Sequence, residues 1–158
     1  MTATPSVPAE WERRLRRVED ELAIGQLVAR YGPAVDAAAA DAAAELWTED
    51  GSYDVEGWFM DGRDEVRAMV RSAEHRGLVE RGCTHFLGPV ATVIEGDRAT
   101  AVCESLLVVH RDGRFVVARA GANRFELTRT ADGWKIQRRV TRALDGTPES
   151  RDLLALDR

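Results

Sequence analysis

His85 stands inside Cys83-Thr84-His85-Phe86-Leu87, an apolar setting for the side chain best able to exchange a proton near neutral pH. It reads either as a proton-transfer group or as a satisfied core histidine. His110 precedes the turn Arg111-Asp112-Gly113, where a solvent-exposed strand end is the bland alternative. Glu104 shares the strand face of His110 by the parity of two. Tyr31 and Asp36 sit on one helical segment, with Asp36 at the edge of its apolar face. Asn123 and Arg139 lie on later strands, and alternation lets only one of Arg138 and Arg139 point inward. Histidine, carboxylate, tyrosine and amide around an apolar pocket suit general acid–base chemistry.

What is missing narrows the chemistry. The chain has no Gly-x-Gly-x-x-Gly, no phosphate-binding Walker loop, no Gly-x-Ser-x-Gly elbow and no His-Glu-x-x-His helix. The three histidines are widely and irregularly spaced, so neither a metal site nor an organic cofactor is expected. Cys83 and Cys103 are too few for a disulfide framework and read as buried thiols.

Positioning these groups takes a helical region followed by a sheet. From Ala9 the apolar residues Leu15, Val18, Leu22, Ile24, Leu27, Val28, Tyr31 and Val35 recur at helical steps, with a kink expected near Ala29–Pro33. Asp41 can cap a short helix from Ala42 to Trp47 that turns Leu46 and Trp47 inward. Thr48-Glu49-Asp50-Gly51 reads as a turn, Ser52 to Val55 as a short strand, and Asp64 as the start of a third helix. His75 to Gly82 reads as a loop. The period then changes to two over Thr84–Ile94, Arg98–His110, Arg114–Thr128 and Trp134–Arg142, with Asp-Gly at two of the intervening turns. Helices first and antiparallel hairpins after is an α+β pattern, a cone of three N-terminal helices on a curved sheet with an enclosed pocket. The expected division is an arm over residues 1–8, one domain over 9–145 and a tail over 146–158, the last read as a loop followed by a docking turn at Leu153-Leu154.

At 158 residues the chain fits one domain, and 44% hydrophobic with 31% charged residues argues against disorder. The net charge is −5, without a basic stripe, so no nucleic-acid partner is expected. The arginines at 13, 14, 16 and 17 are followed by Glu19, Asp20 and Glu21 and read as a solvated helix face. No run of about 18 apolar residues spans a membrane, and Met1 to Pro8 lacks the features of a secretory signal. A cytoplasmic location is the default expectation.

Three stretches together resemble the SnoaL-like group of the NTF2-like superfamily: Arg30-Tyr31 through Asp36, Leu46-Trp47-Thr48-Glu49-Asp50-Gly51, and Asp61-Gly62-Arg63-Asp64-Glu65-Val66. The closing Gly133-Trp134-Lys135-Ile136 is similar too. Within the group, Thr84-His85-Phe86-Leu87-Gly88 resembles the scytalone dehydratase segment that bears a catalytic histidine. That likeness implies His85 and His110 as catalytic histidines, Asp36 as the carboxylate orienting His110, and Asn123 as a pocket amide. The two tyrosines of that family fall on Val35 and Val55 and its serine on Gly121, leaving Tyr31 or Tyr53 to stand in. Tyr31 with Asp36 also resembles the pair of the bile acid 7α-dehydratases. The resemblance implies a cofactor-independent lyase acting on a cyclic or polycyclic hydroxy-carbonyl compound. His85, His110, Asp36 and Tyr31 would be catalytic. Asn123, Tyr53, Trp47, Trp58, Glu104, Phe86 and Arg139 would be substrate-binding. An isomerase or cyclase, or a binding module for a hydrophobic ligand, remains the alternative. A homo-oligomer, dimer or trimer, formed through the outer sheet face is implied as well.

Overall fold

The computed structural model of the chain describes residues 8–156. The expected arm, apart from Pro8, lies outside them. Helix α1 (Ala9–Ala29) breaks at Arg30 and resumes as α2 (Tyr31–Asp36). Pro33 explains the break, because it has no N–H to return to Ala29, whereas a proline in the first turn of a new helix is tolerated. Short α3 (Ala40–Ala44) follows, then the hairpin β1 (Trp47–Val55) and β2 (Trp58–Asp61), then α4 (Arg63–Val70) and α5 (Ala73–Arg81). The remainder is β3 (Cys83–Leu87), β4 (Ala91–Glu95), β5 (Arg98–Arg111), β6 (Arg114–Thr130), β7 (Gly133–Ala143) and α6 (Pro148–Leu153).

The strands form one seven-stranded sheet in the order β2-β1-β7-β6-β5-β3, with β4 also paired to β5. The β1–β7 pairing is parallel and all others are antiparallel. The α+β expectation stands, and several local readings change. Trp47 opens a strand instead of closing a helix. Thr48–Gly51 is strand, with a register shift between Trp47 and Ser52, because pairing to β7 overrides the local turn preference. The run Thr84–Ile94 is cut at residues 88–90, where Pro89 cannot donate to the ladder. The His75–Gly82 loop is helix α5, capped by Ser72, whose Oγ accepts the His75 N–H at 3.1 Å. Residues 148–153 are helical and pack on β6 and β7.

Trp47, Val35, Phe125 and Ile136 lie at the centre of the core, each completely buried. Helix α1 is fastened to the sheet by a buried carboxylate. Asp20 Oδ1 accepts Arg129 Nη1–H at 2.7 Å and Trp134 Nε1–H at 3.0 Å, while Oδ2 accepts Arg129 Nη2–H at 2.8 Å. The Arg129 guanidinium lies 4.4 Å over the Trp134 ring. Only Ile24, Leu27 and Val28 of the α1 apolar series are buried; Leu15, Val18 and Leu22 face outward. The single stripe read from the sequence is therefore two.

Candidate active site

Helix α2 crosses directly over β3. A Cβ on Gly32 would lie 2.1 Å from the His85 carbonyl oxygen, so only glycine lets the two backbones come this close. One turn later Asp36, the last residue of α2, reaches His85 from the same side. Asp36 Oδ2 accepts the His85 backbone N–H at 2.8 Å, and Oδ1 lies 2.6 Å from His85 Nδ1. An ionised carboxylate only accepts, so Nδ1 carries the proton and Nε2 is left with a free lone pair. Cys83 donates to the same oxygen through Sγ at 3.7 Å, and burial together with the Asp36 charge pushes its thiol up to about 11.

A second histidine backs the pair. His75 is buried, its ring stacked on His85 with centroids 5.8 Å apart, and its Nδ1 lies 3.2 Å from the Val70 carbonyl. Its Nε2 has no partner among the described residues. Burial, and then the nearby His85, hold its pKa below the ordinary histidine value. The sequence reading put His75 on a loop and missed it. The available signal was Ser72 followed by a helical run.

Around His85 a cavity of about 20 Å³, room for one water-sized group, is bounded among others by Tyr31, Tyr53, Ser105, Arg119 and Arg139. Arg139 is 2% exposed, so it is the inward member of its pair. Among the described residues no carboxylate meets it. Its guanidinium lies 4.2 Å over Tyr31, 4.5 Å over Tyr53 and 5.1 Å over Phe125, while Nη2 donates to Asn123 Oδ1 at 2.8 Å. Among the same residues its Nη1 is left without an acceptor. Asn123 is fully buried; its Oδ1 also accepts Thr141 Oγ1–H at 2.7 Å, and its Nδ2 donates to Ser105 Oγ at 2.9 Å. Its amide thus holds Arg139 from behind instead of opening onto the cavity. Burial raises the Tyr31 pKa above its ordinary value and keeps the phenol protonated.

The other expected residues divide by strand parity. Thr84, Phe86, Leu106, Val108 and His110 share the face opposite His85, since β3 pairs with β5 in regular register. His110 is exposed, its ring tilted against Phe115 at 5.1 Å, and cannot receive Asp36, which is already committed to His85. The pairing of Asp36 with His110 is therefore corrected to Asp36 with His85. Glu104 is exposed on the same outer face. Trp58, at 54% exposed on β2, lies apart from the cavity. Trp47 is buried behind it, edge-on to Tyr31 at 5.8 Å, and supports the ring without lining the space. Phe86 borders the cavity while remaining 57% exposed. Val35, Val55 and Gly121 carry no polar side chain, while Tyr31 and Tyr53 border the cavity.

Asp36, Cys83 and His85 each offer a donor within 4.8 Å of the others. The 2.6 Å Oδ1–Nδ1 separation fits a shared proton better than two ligands of one ion, which stand roughly 3.3 Å apart around tetrahedral zinc.

The N-terminal helices on one side of a curved mixed sheet, closing over a buried polar pocket, define an NTF2-like, cystatin-like fold. Residues 16–140 match the SnoaL-like domain, and the chain belongs to that family. An NTF2-like protein with a cystatin-like fold from Novosphingobium aromaticivorans is similar over 97% of this chain and 100% of its own, with 41% identity and a TM-score of 0.92. A hexachlorocyclohexane dehydrochlorinase, LinA-type3, from Novosphingobium barchaimii is 18% identical, covering 83% of this chain and 90% of its own, with a TM-score of 0.72. The β subunit of a candidate aromatic-ring-hydroxylating dioxygenase from N. aromaticivorans is also 18% identical, covering 82% and 91%, with a TM-score of 0.66. At that identity the last two share the fold alone. No curated protein matches significantly. Among the described residues no helix is long and apolar enough to cross a membrane.

Proposed function

We propose that the chain is a cofactor-independent lyase that eliminates water from a cyclic hydroxy-carbonyl compound, with the Asp36–His85 pair as its base. One observation carries the reading: His85, held by Asp36 at 2.6 Å, and Arg139, with an unpartnered buried N–H, border the same cavity. His85 Nε2 takes the proton next to the carbonyl, and the Asp36 carboxylate stabilises the imidazolium that forms. The carbonyl oxygen gains charge against the free Nη1–H of Arg139. The neighbouring C–O bond then breaks, and the proton on His85 goes to the departing hydroxyl, giving a conjugated carbonyl and water. The Tyr31 phenol, kept protonated, hydrogen-bonds that hydroxyl. His110, Glu104 and Trp58 have no part in this scheme, and Asn123 acts through Arg139.

The cavity admits a reacting group but not a ring system, so a polycyclic substrate is the less favoured choice. A ring enters when the rim opens, and Arg119, whose guanidinium is 3.9 Å from Glu56, is loosely enough tied to swing. Self-association belongs to the same proposal: Phe86, Leu106, Phe115 and Val117 are exposed on the outer sheet face.

The test is a panel of β-hydroxy ketones in D₂O, followed by enone absorbance and by deuterium uptake next to the carbonyl. Enone formation by the wild type, lost in His85→Ala, is the expected result. Deuterium uptake without loss of water assigns an isomerase. A panel that binds without either change makes the chain a binding module and sinks the lyase reading.

A further inference from the structure

Helix α1 has two apolar faces. Asp20, Ile24, Leu27 and Val28 are buried against the domain. Trp11, Leu15, Val18 and Leu22 are 63%, 60%, 52% and 63% exposed. At 3.6 residues per turn the centres of the two sets lie about 180° apart. The outward set is spaced four, three and four residues, the a/d pattern of a two-stranded coiled coil. Gly25 and Ala29 continue the same spacing with small residues, and a Cβ on Gly25 would meet nothing within 4 Å. Single exposed apolar residues are ordinary, but a series in heptad register along one helix is not.

We infer that this face pairs with the same face of a second copy of the chain, the two α1 helices running parallel. Charge decides both partner and direction. Arg14 and Glu21 flank the seam on one side, and Glu12, Glu19 and Gln26 on the other. Parallel, in-register pairing sets Arg14 opposite the partner's Glu19 on both edges of the seam. Antiparallel pairing matches Arg14 with the partner's Glu21 but sets Glu12 against the partner's Glu19, a repulsion repeated by symmetry. A lipid surface is disfavoured, because Glu10, Glu12, Glu19 and Glu21 interleave with the arginines and leave no cationic excess. Since the seam and the docked face lie on opposite sides of α1, the two domains stand outward and neither cavity is obstructed. This interface is separate from the outer sheet patch and independent of the elimination chemistry.

The experiment is sedimentation velocity on the full chain, comparing wild type, the Leu15→Glu/Leu22→Glu double variant and Val117→Glu on the sheet patch. The double variant is expected to sediment at half the wild-type mass with an unchanged circular dichroism spectrum, since both side chains are exposed in the single chain, and its melting temperature no longer rises with protein concentration. A single Val18→Cys, placed against its own copy only in the parallel register, is expected to oxidise to a covalent dimer. Equal masses for wild type and double variant overturn the inference. A mass lowered by Val117→Glu alone also overturns it, assigning association to the sheet. So does wild-type binding to anionic vesicles that the double variant loses without a change of mass.

Discussion

Asp36 holds His85 by two atoms at once, its Oδ2 accepting the backbone N–H at 2.8 Å and its Oδ1 facing the ring Nδ1 at 2.6 Å. One carboxylate thus sets both the position of the strand and the tautomer of the imidazole. In a ¹H–¹⁵N spectrum of the histidine rings, His85 is expected in the form protonated at Nδ1, with Nε2 as the free nitrogen. Asp36→Asn should mix the tautomers and lower turnover by about 10²–10⁴, the range general base catalysis supplies. An unchanged His85 tautomer in that variant would mean that the carboxylate is not what orients the ring.

Arg139 is a buried cation stabilised by aromatic faces and one amide instead of a counter-charge. Such an arrangement serves a ligand better than it serves stability. Arg139→Met, similar in volume, is expected to melt within a few degrees of the wild type or above it, because Asn123 Oδ1 still accepts from Thr141. Elimination should fall by about 10²–10³, the loss typical of removing one donor from a developing oxyanion. Severe destabilisation with retained turnover would reverse the assignment and make the residue structural.

His75 resists protonation in the folded chain, its pKa lying below the ordinary 6.5 mainly through burial. The unfolded chain takes up that proton first, so this group removes stability as pH falls below 6.5, until the folded value is passed. His75→Gln keeps a donor for the Val70 carbonyl and cannot ionise. The urea midpoint should therefore drop less in His75→Gln than in the wild type when pH is lowered from about 7.5 to 5.5. Equal drops would place the acid sensitivity elsewhere.

Asp20 acts in the same direction at lower pH. Its hydrogen bonds to Arg129, outweighing burial, hold its carboxyl below the ordinary 3.8, so it contributes stability that is present above 3.8 and lost as pH falls through the folded value. Asp20→Asn is expected to cost about 2–3 kcal/mol near neutral pH, the deficit shrinking as pH is lowered below 3.8, as followed by urea unfolding. A deficit independent of pH would show that the amide fails for packing reasons and not for its missing charge.

Much of this was legible in the residues themselves. The change of period after Gly82 marked where helices give way to strands, Pro33 marked the α1–α2 break, and the Asp-Gly pairs marked two hairpins, because each depends on near neighbours. The apolar setting of His85 and the place of Asp36 at the edge of a helix could likewise be read locally. Which histidine Asp36 meets could not. That choice depends on Gly32, where the missing Cβ lets α2 rest on β3, and on strand parity, which turns His110 outward. Arg139, not Arg138, faces the cavity because β7 pairs with β6 on one side and with β1 on the other, and that register is a property of the assembled sheet. His75 joins the site only through the packing of α5 against β3. Local sequence sets backbone preferences over a few residues, whereas these contacts join elements tens of residues apart, and only the tertiary packing of helices on the sheet decides them.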